Sequence, residues 1–157
     1  MLWPLTAATF LLCIVGITSG TSIPAWRAAS TRLRQARALR ELRPLWGALT
    51  RQYPEVVLGM EGTLQVRLYR RVLEIRDGML SLTSVAPPPA SGDPREVAAW
   101  VASSLQQACS GQETGALSGI MPGPDFADDI ERETTWLRHV SVAYQQIGRR
   151  RTDSPAV

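Results

Sequence analysis

The first 26 residues of the chain carry no charged side chain, and apolar residues dominate from Leu5 to Ile17. Trp3 and Trp26 flank this stretch, and aromatic side chains of this kind are typical of the membrane–water interface. At about 1.5 Å per residue the interval between them spans roughly 35 Å, which matches a hydrocarbon core and its borders. The pattern therefore predicts a transmembrane helix over residues 1–25.

After this stretch, apolar positions recur at steps of three and four residues, which is the period of an amphipathic helix. One such helix follows Pro24, and Pro44 should end or kink it because the proline ring crowds the residue before it. A short helix then begins at Pro44 and ends before Pro54. Gly59 and Gly62 mark the next segment as a loop.

Three more helices complete the pattern. The clearest covers residues 63–82, whose apolar stripe consists of Leu64, Leu68, Val72, Ile75, Met79 and Leu82. The next begins with Asp93 as N-cap, followed by Pro94 and by Glu96 at the position that closes a capping box. The last runs from Asp125 to Arg151, with acidic residues in its first turns and arginines in its last.

No strand pattern competes with these helices, so the predicted fold class is all-α. We expect one N-terminal transmembrane helix followed by a small bundle of about four helices. The helical domain covers residues 26–151, and residues 152–157 form a disordered tail.

Charge fixes the expected topology. Arg27 to Arg51 contains seven arginines and one acid, a net charge of +6, whereas the rest of the chain carries −3. Because positive charge follows the apolar segment, we expect the N-terminus outside the cell membrane and the domain in the cytoplasm. A cleaved signal peptide is the alternative, but its basic n-region is missing. The expected membrane-surface residues are Trp26, Arg27, Arg32, Arg34 and Arg37.

This placement favours membrane lipid as the partner and argues against nucleic acid. Gly16 and Gly20 form a G-x-x-x-G pair, which would let a second helix approach closely. Small residues tolerated by chance are the alternative explanation. We expect other transmembrane helices, or a second copy of this chain, as further partners.

Residues that carry chemistry are scarce. The chain has a single histidine, His139, and two cysteines, Cys13 and Cys109, which are too few for a zinc site. No glycine-rich loop follows a strand, and Cys109 has no evident activating neighbour. We therefore expect no enzyme activity, no metal and no cofactor.

One charged cluster on the helix predicted over residues 63–82 has two interpretations. It consists of Arg67, Arg70, Arg71, Glu74 and Arg76. These side chains could bind an anionic ligand, since arginine matches phosphate and carboxylate geometry. Alternatively they form a solvated helix face whose arginines pair with neighbouring acids.

Two motifs are similar to segments that recur in a known group of proteins. Leu42 to Leu49 has the form L-x-P-L-W-x-x-L, and Arg70 to Asp77 has the form R-R-x-x-E-I-R-D. The chain thus resembles the cytoplasmic C-terminal domain of multi-pass membrane proteins of high-GC Gram-positive bacteria, which are grouped with transporters and have no known function. Such proteins usually carry several membrane helices, whereas this chain offers one.

The resemblance implies a membrane-tethered cytoplasmic domain with an interaction or regulatory role in a transporter-like membrane protein. The alternative function is an arginine-lined module for anionic ligands. An enzyme is the third hypothesis, and it would require a strongly perturbed buried carboxylate or cysteine.

Overall fold

The computed structural model of the chain describes residues 3–57, 59, 62–111, 121–126 and 129–152, and side chains only between residues 26 and 150. Within these ranges there are four α-helices: α1 (Trp3–Gln52), α2 (Leu64–Leu82), α3 (Pro94–Cys109) and α4 (Ile130–Thr152). A 3₁₀ turn, Pro54–Val56, follows α1. The described residues include no strand, so the all-α prediction is confirmed.

The chain divides into two compact units, residues 1–36 and residues 37–157. The first contains the N-terminal part of α1. The second contains the C-terminal part of α1 together with α2, α3 and α4, and it holds the hydrophobic core.

The expected end of a helix at Pro44, with a new helix beginning there, is wrong, because α1 continues through this residue to Gln52. The alternative, a kink at Pro44, stays a prediction. Proline removes one backbone hydrogen bond and destabilises a helix interior by about 3 kcal/mol. Leu42, Leu45 and Leu49 lie on both sides of Pro44 and are fully buried. Burial of each such side chain contributes about 1.5–3 kcal/mol, which more than offsets the local loss. The expected end of this helix before Pro54 is confirmed.

The structure begins α2 one residue later than predicted, because Thr63 is its N-cap, and ends it at Leu82 as predicted. The predicted bounds of α3 agree with the structure. Asp93 caps α3, since its carboxylate accepts a hydrogen bond from the backbone N–H of Arg95 over 3.1 Å. The reciprocal half of the predicted capping box is wrong. The backbone N–H of Asp93 donates to the Ser91 hydroxyl, which in turn donates to Glu96. Ser91 therefore stands between the two residues that the motif joins directly.

The last helix begins later than predicted, at Ile130 rather than Asp125. Asp129 precedes it, and its carboxylate accepts a hydrogen bond from the backbone N–H of Arg132 over 3.1 Å. Phe126 lies before the helix and packs against Trp136, with ring centroids 5.8 Å apart. Acidic residues are favourable both in a capping turn and in a first helical turn, so their presence did not locate the boundary.

The core of the second unit takes side chains from all four helices. Its fully buried large members are Leu42, Leu45, Leu49, Ile75, Met79, Leu82 and Leu137. The helices α3 and α4 pack closely together, and α2 contacts both. Packing against this core determines the orientation of α1 and α2, and hence the positions of their charged side chains.

Two predictions fall at the ends of the chain. Among the residues whose side chains are described, none of the helices is long and apolar enough to cross a membrane. The segment 1–25, including Gly16 and Gly20, lies outside those residues. At the other end α4 includes Thr152, and residues 153–157 of the expected tail lie outside the described residues.

Candidate functional site

Three side chains of α1 and α2 form a buried polar contact. The indole N–H of Trp46 donates to Oε2 of Glu74 over 2.6 Å. The guanidinium of Arg71 lies over the Trp46 ring, with its Cζ 3.6 Å from the ring centroid. Its Nε is 3.7 Å from the same oxygen of Glu74. Only 7% of the Arg71 side chain and 3% of the Glu74 side chain are exposed.

The sequence positions explain this arrangement. Arg71 and Glu74 are three residues apart on α2 and therefore lie on one helix face. The Trp46 indole offers both an N–H donor and an aromatic face, so it contacts the acid and the base together. We call these three residues the Trp46–Arg71–Glu74 triad.

Burial lowers the pKa of the Arg71 guanidinium, because a charged group loses hydration inside the protein. The Glu74 carboxylate opposes this effect, whereas the positive charges of Arg67 and Arg43 add to it. The triad therefore lies beside an excess of positive charge. The interpretation of this helix face as solvated is wrong for Arg71 and Glu74, which are buried.

The five residues of the predicted ligand site do not converge on one point. Arg70 donates to the backbone carbonyl of Gly59, and Arg76 pairs with Glu133 of α4 at 2.5 Å. Arg67 differs from them, because its Nε is buried and has no hydrogen-bond partner among the described residues. Only Arg67, Arg71 and Glu74 thus belong to one neighbourhood.

The predicted membrane-surface residues lie on an exposed part of α1. Trp26 is 77% exposed, and Leu33, two helical turns later, is 71% exposed. Arg27, Arg32 and Arg34 are exposed as well. Among the side chains that the structure describes, these three arginines have no acidic partner, although Arg34 donates to the Thr31 hydroxyl.

Arg37, the fifth predicted surface residue, is already engaged. It pairs with Glu41 at 2.7 Å, and Glu41 also pairs with Arg138 of α4 at 2.5 Å. The Ser141 hydroxyl donates to the backbone carbonyl of Glu41 over 2.7 Å. The hydrogen bond from Arg138, then that from Arg37, holds the pKa of Glu41 below its ordinary value. These contacts attach α4 to α1.

The triad and the exposed basic part of α1 both lie within the region that a family model matches. Residues 25–146 match the family of unknown function DUF6545. The chain belongs to this family. The match covers about three quarters of the chain and includes every residue of the triad. No curated protein and no solved structure matches the chain.

DUF6545 membership names no activity, so the relation to transporters stays a prediction. In the described part of this DUF6545 chain, no group of three His, Cys, Asp or Glu side chains could hold a metal ion. Cys109 is free and exposed at the end of α3, and its thiol donates to the amide oxygen of Gln52 over 3.3 Å.

Sequence reasoning missed the roles of Trp46 and Arg138. Neither side chain is among the predicted site residues. Their partners, Glu74 and Glu41, are 28 and 97 residues away in the chain. A pairing over such a distance depends on helix packing, whereas the Arg37–Glu41 pair follows from its four-residue spacing.

Proposed function

We propose that this DUF6545 chain is a membrane-attached helical domain that binds a protein partner at the cytoplasmic surface. Residues 1–25 anchor the chain in the bilayer, and residues 26–34 lie among the lipid headgroups. The observation that carries the proposal is the exposed Trp26, which follows 25 residues without charge and precedes three exposed arginines that have no acidic partner among the described side chains.

The exposed part of α1 suits an anionic bilayer surface. Trp26 and Leu33 are two turns apart and therefore share a face, where their apolar surface is costly in water. An indole is favourable at headgroup depth, where one end of the ring is apolar and the other is wet. Each arginine near anionic lipid contributes about 1 kcal/mol, so Arg27, Arg32 and Arg34 together contribute about 3 kcal/mol.

An interaction role suits the second unit better than catalysis. Its buried charged groups are used to join helices, as with Glu74 and Trp46 or Glu133 and Arg76. In the finer form of the proposal, the domain regulates a transporter-like membrane protein. Gly16 and Gly20 would then contact another membrane helix, which small residues allow to approach closely.

Flotation tests the membrane attachment. The full chain is synthesised in a cell-free system with vesicles of phosphatidylcholine, alone or mixed with phosphatidylglycerol, and then floated on a density gradient. We expect the chain to float with both vesicles and to resist an alkaline wash. A chain that remains at the bottom of both gradients would contradict the anchor.

Two matched triple variants test the headgroup contact. R27Q/R32Q/R34Q removes the three arginines after the anchor, whereas R95Q/R132Q/R150Q removes three exposed arginines elsewhere. Both variants change the net charge by the same amount. We expect only the first to lose the preference for phosphatidylglycerol, by up to about a hundredfold in partitioning. Equal losses would show that the position of the arginines is irrelevant.

A further inference from the structure

Arg67 lies close to two other arginines, and its buried Nε has no hydrogen-bond partner among the described residues. Arg67 and Arg71 are one turn apart on α2 and therefore lie on the same face. Arg43 is three residues before Trp46 on α1, and the Trp46 ring lies against the Arg71 guanidinium. Two helices thus bring three arginines to one location.

The charges at this location do not balance. The carboxylate of Glu74 lies near Nε of Arg71, at 3.7 Å, and accepts the Trp46 hydrogen bond at 2.6 Å. Arg43 and Arg67 both act on Arg71 by charge repulsion. Among these four side chains, the three guanidinium groups of Arg43, Arg67 and Arg71 thus outnumber the one carboxylate of Glu74, which also accepts the Trp46 hydrogen bond.

Arg67 supplies the strongest single observation. Its Nε is buried and has no hydrogen-bond partner in the described part of the chain, although a buried charged donor is normally paired. Arg43 is exposed and has no ion pair among the described side chains, so its guanidinium can reach a ligand from solvent. The arrangement offers planar donor groups from two helices to one oxyanion.

We propose that Arg43 and Arg67 bind a phosphate group, with Arg71 fixed behind them by Trp46 and Glu74. Guanidinium groups donate two parallel hydrogen bonds to phosphate oxygens, and a doubly charged oxyanion offsets the excess positive charge. Arg70 and Arg76 take no part, since Gly59 and Glu133 already bind them. This inference does not depend on attachment to a membrane.

The phosphate group could come from a soluble molecule or from a lipid headgroup, and two titrations separate these sources. In the first, inorganic phosphate is added to the full chain in detergent, with chloride at equal ionic strength as reference. In the second, vesicles of phosphatidylcholine with phosphatidic acid replace the phosphate, and vesicles with phosphatidylglycerol at matched total surface charge are the control. Thermal unfolding is followed by circular dichroism.

We expect a hundredfold excess of inorganic phosphate over its dissociation constant to raise Tm by roughly 5–10 °C. R67Q and R43Q should each reduce this shift and weaken phosphate binding at least about tenfold in calorimetry. R95Q, which changes an exposed arginine of α3, is the matched control and should keep the full shift. Stabilisation by phosphatidic acid alone, lost in R67Q, would assign the site to a lipid headgroup.

The unliganded variants distinguish this role from a structural one. In phosphate-free buffer, R67Q should melt at or above the temperature of the wild type, because it relieves repulsion on Arg71. A large drop in Tm without ligand would instead make Arg67 a structural residue and overturn the proposal. Equal phosphate effects in R67Q, R95Q and the wild type would also overturn it.

Discussion

Glu74→Gln should destabilise the second unit more than a surface substitution does, although the side chain keeps its shape. The change removes the negative charge that lies 3.7 Å from Nε of Arg71. It also weakens the Trp46 hydrogen bond from a charge-assisted to a neutral one. Loss of one partner from a buried ion pair costs about 3–5 kcal/mol.

We expect a loss of about 3 kcal/mol for E74Q, the lower end of that range, because Arg71 retains its contact with the Trp46 ring. Such a loss is a large fraction of the 5–15 kcal/mol that is typical of a folded domain. Urea unfolding of the full chain in mild detergent, followed by circular dichroism, measures it. A loss below about 1 kcal/mol would place Glu74 among surface charges and refute the reasoning.

A double-mutant cycle separates the ion pair from the packing around it. R71M alone removes the guanidinium group that lies 3.7 Å from the buried Glu74 carboxylate, so it should also be destabilising. R71M/E74Q removes both charges and leaves an amide oxygen that can accept the Trp46 hydrogen bond. We expect the double variant to lose at least about 1.5 kcal/mol less than the sum of the single losses. Additive losses would show that the two charges do not interact.

Further predictions concern the Glu41 contact and two glycines. Because Arg138 holds the pKa of Glu41 below its ordinary value of 4.5, the stabilisation from Glu41 should be complete above that pH and should be lost as the pH falls further. In unfolding measurements at about pH 6 and about pH 3, the wild type should therefore lose more stability than E41Q; equal losses would contradict the contact. G123A should destabilise by at least about 2 kcal/mol, because φ is +96° and a Cβ atom would collide with the Trp136 ring. G47A, the same substitution in a helix with open space around it, should stabilise by about 0.5–1 kcal/mol. A loss of stability in both G123A and G47A, measured in the same urea assay, would refute this reasoning.

Local signals in the sequence account for most of the helices. The apolar stripe of α2 and the Asp93 cap of α3 are formed by residues that are close together in the sequence. Both helices therefore have the predicted bounds to within one residue. The predicted helix end at Pro44 considered only the local destabilisation of a helix by proline. The burial of Leu42 and Leu45, which offsets this destabilisation, arises from the tertiary structure. The helical propensity of a segment decides its structure only where packing does not.

The charged cluster shows the same division. A spacing of three residues predicts that Arg71 can pair with Glu74, and the structure contains this pair. The same spacing rule gives no information on Trp46 or Glu133, which reach α2 from other helices. The sequence pattern therefore could not predict that Arg70 and Arg76 bind other partners and lie apart from Arg67.

The central claim, a domain anchored by residues 1–25 with its C-terminal part in the cytoplasm, can be tested with the chain's own thiol. Cys109 is exposed, and C13S leaves it as the only cysteine. Cells that express C13S are treated with a membrane-impermeant maleimide before or after lysis, with C13S/C109S as the unlabelled control. The account predicts that Cys109 is labelled only after lysis and that the labelled chain is found in the membrane fraction. Labelling in intact cells, or a labelled chain found entirely in the soluble fraction, would contradict it.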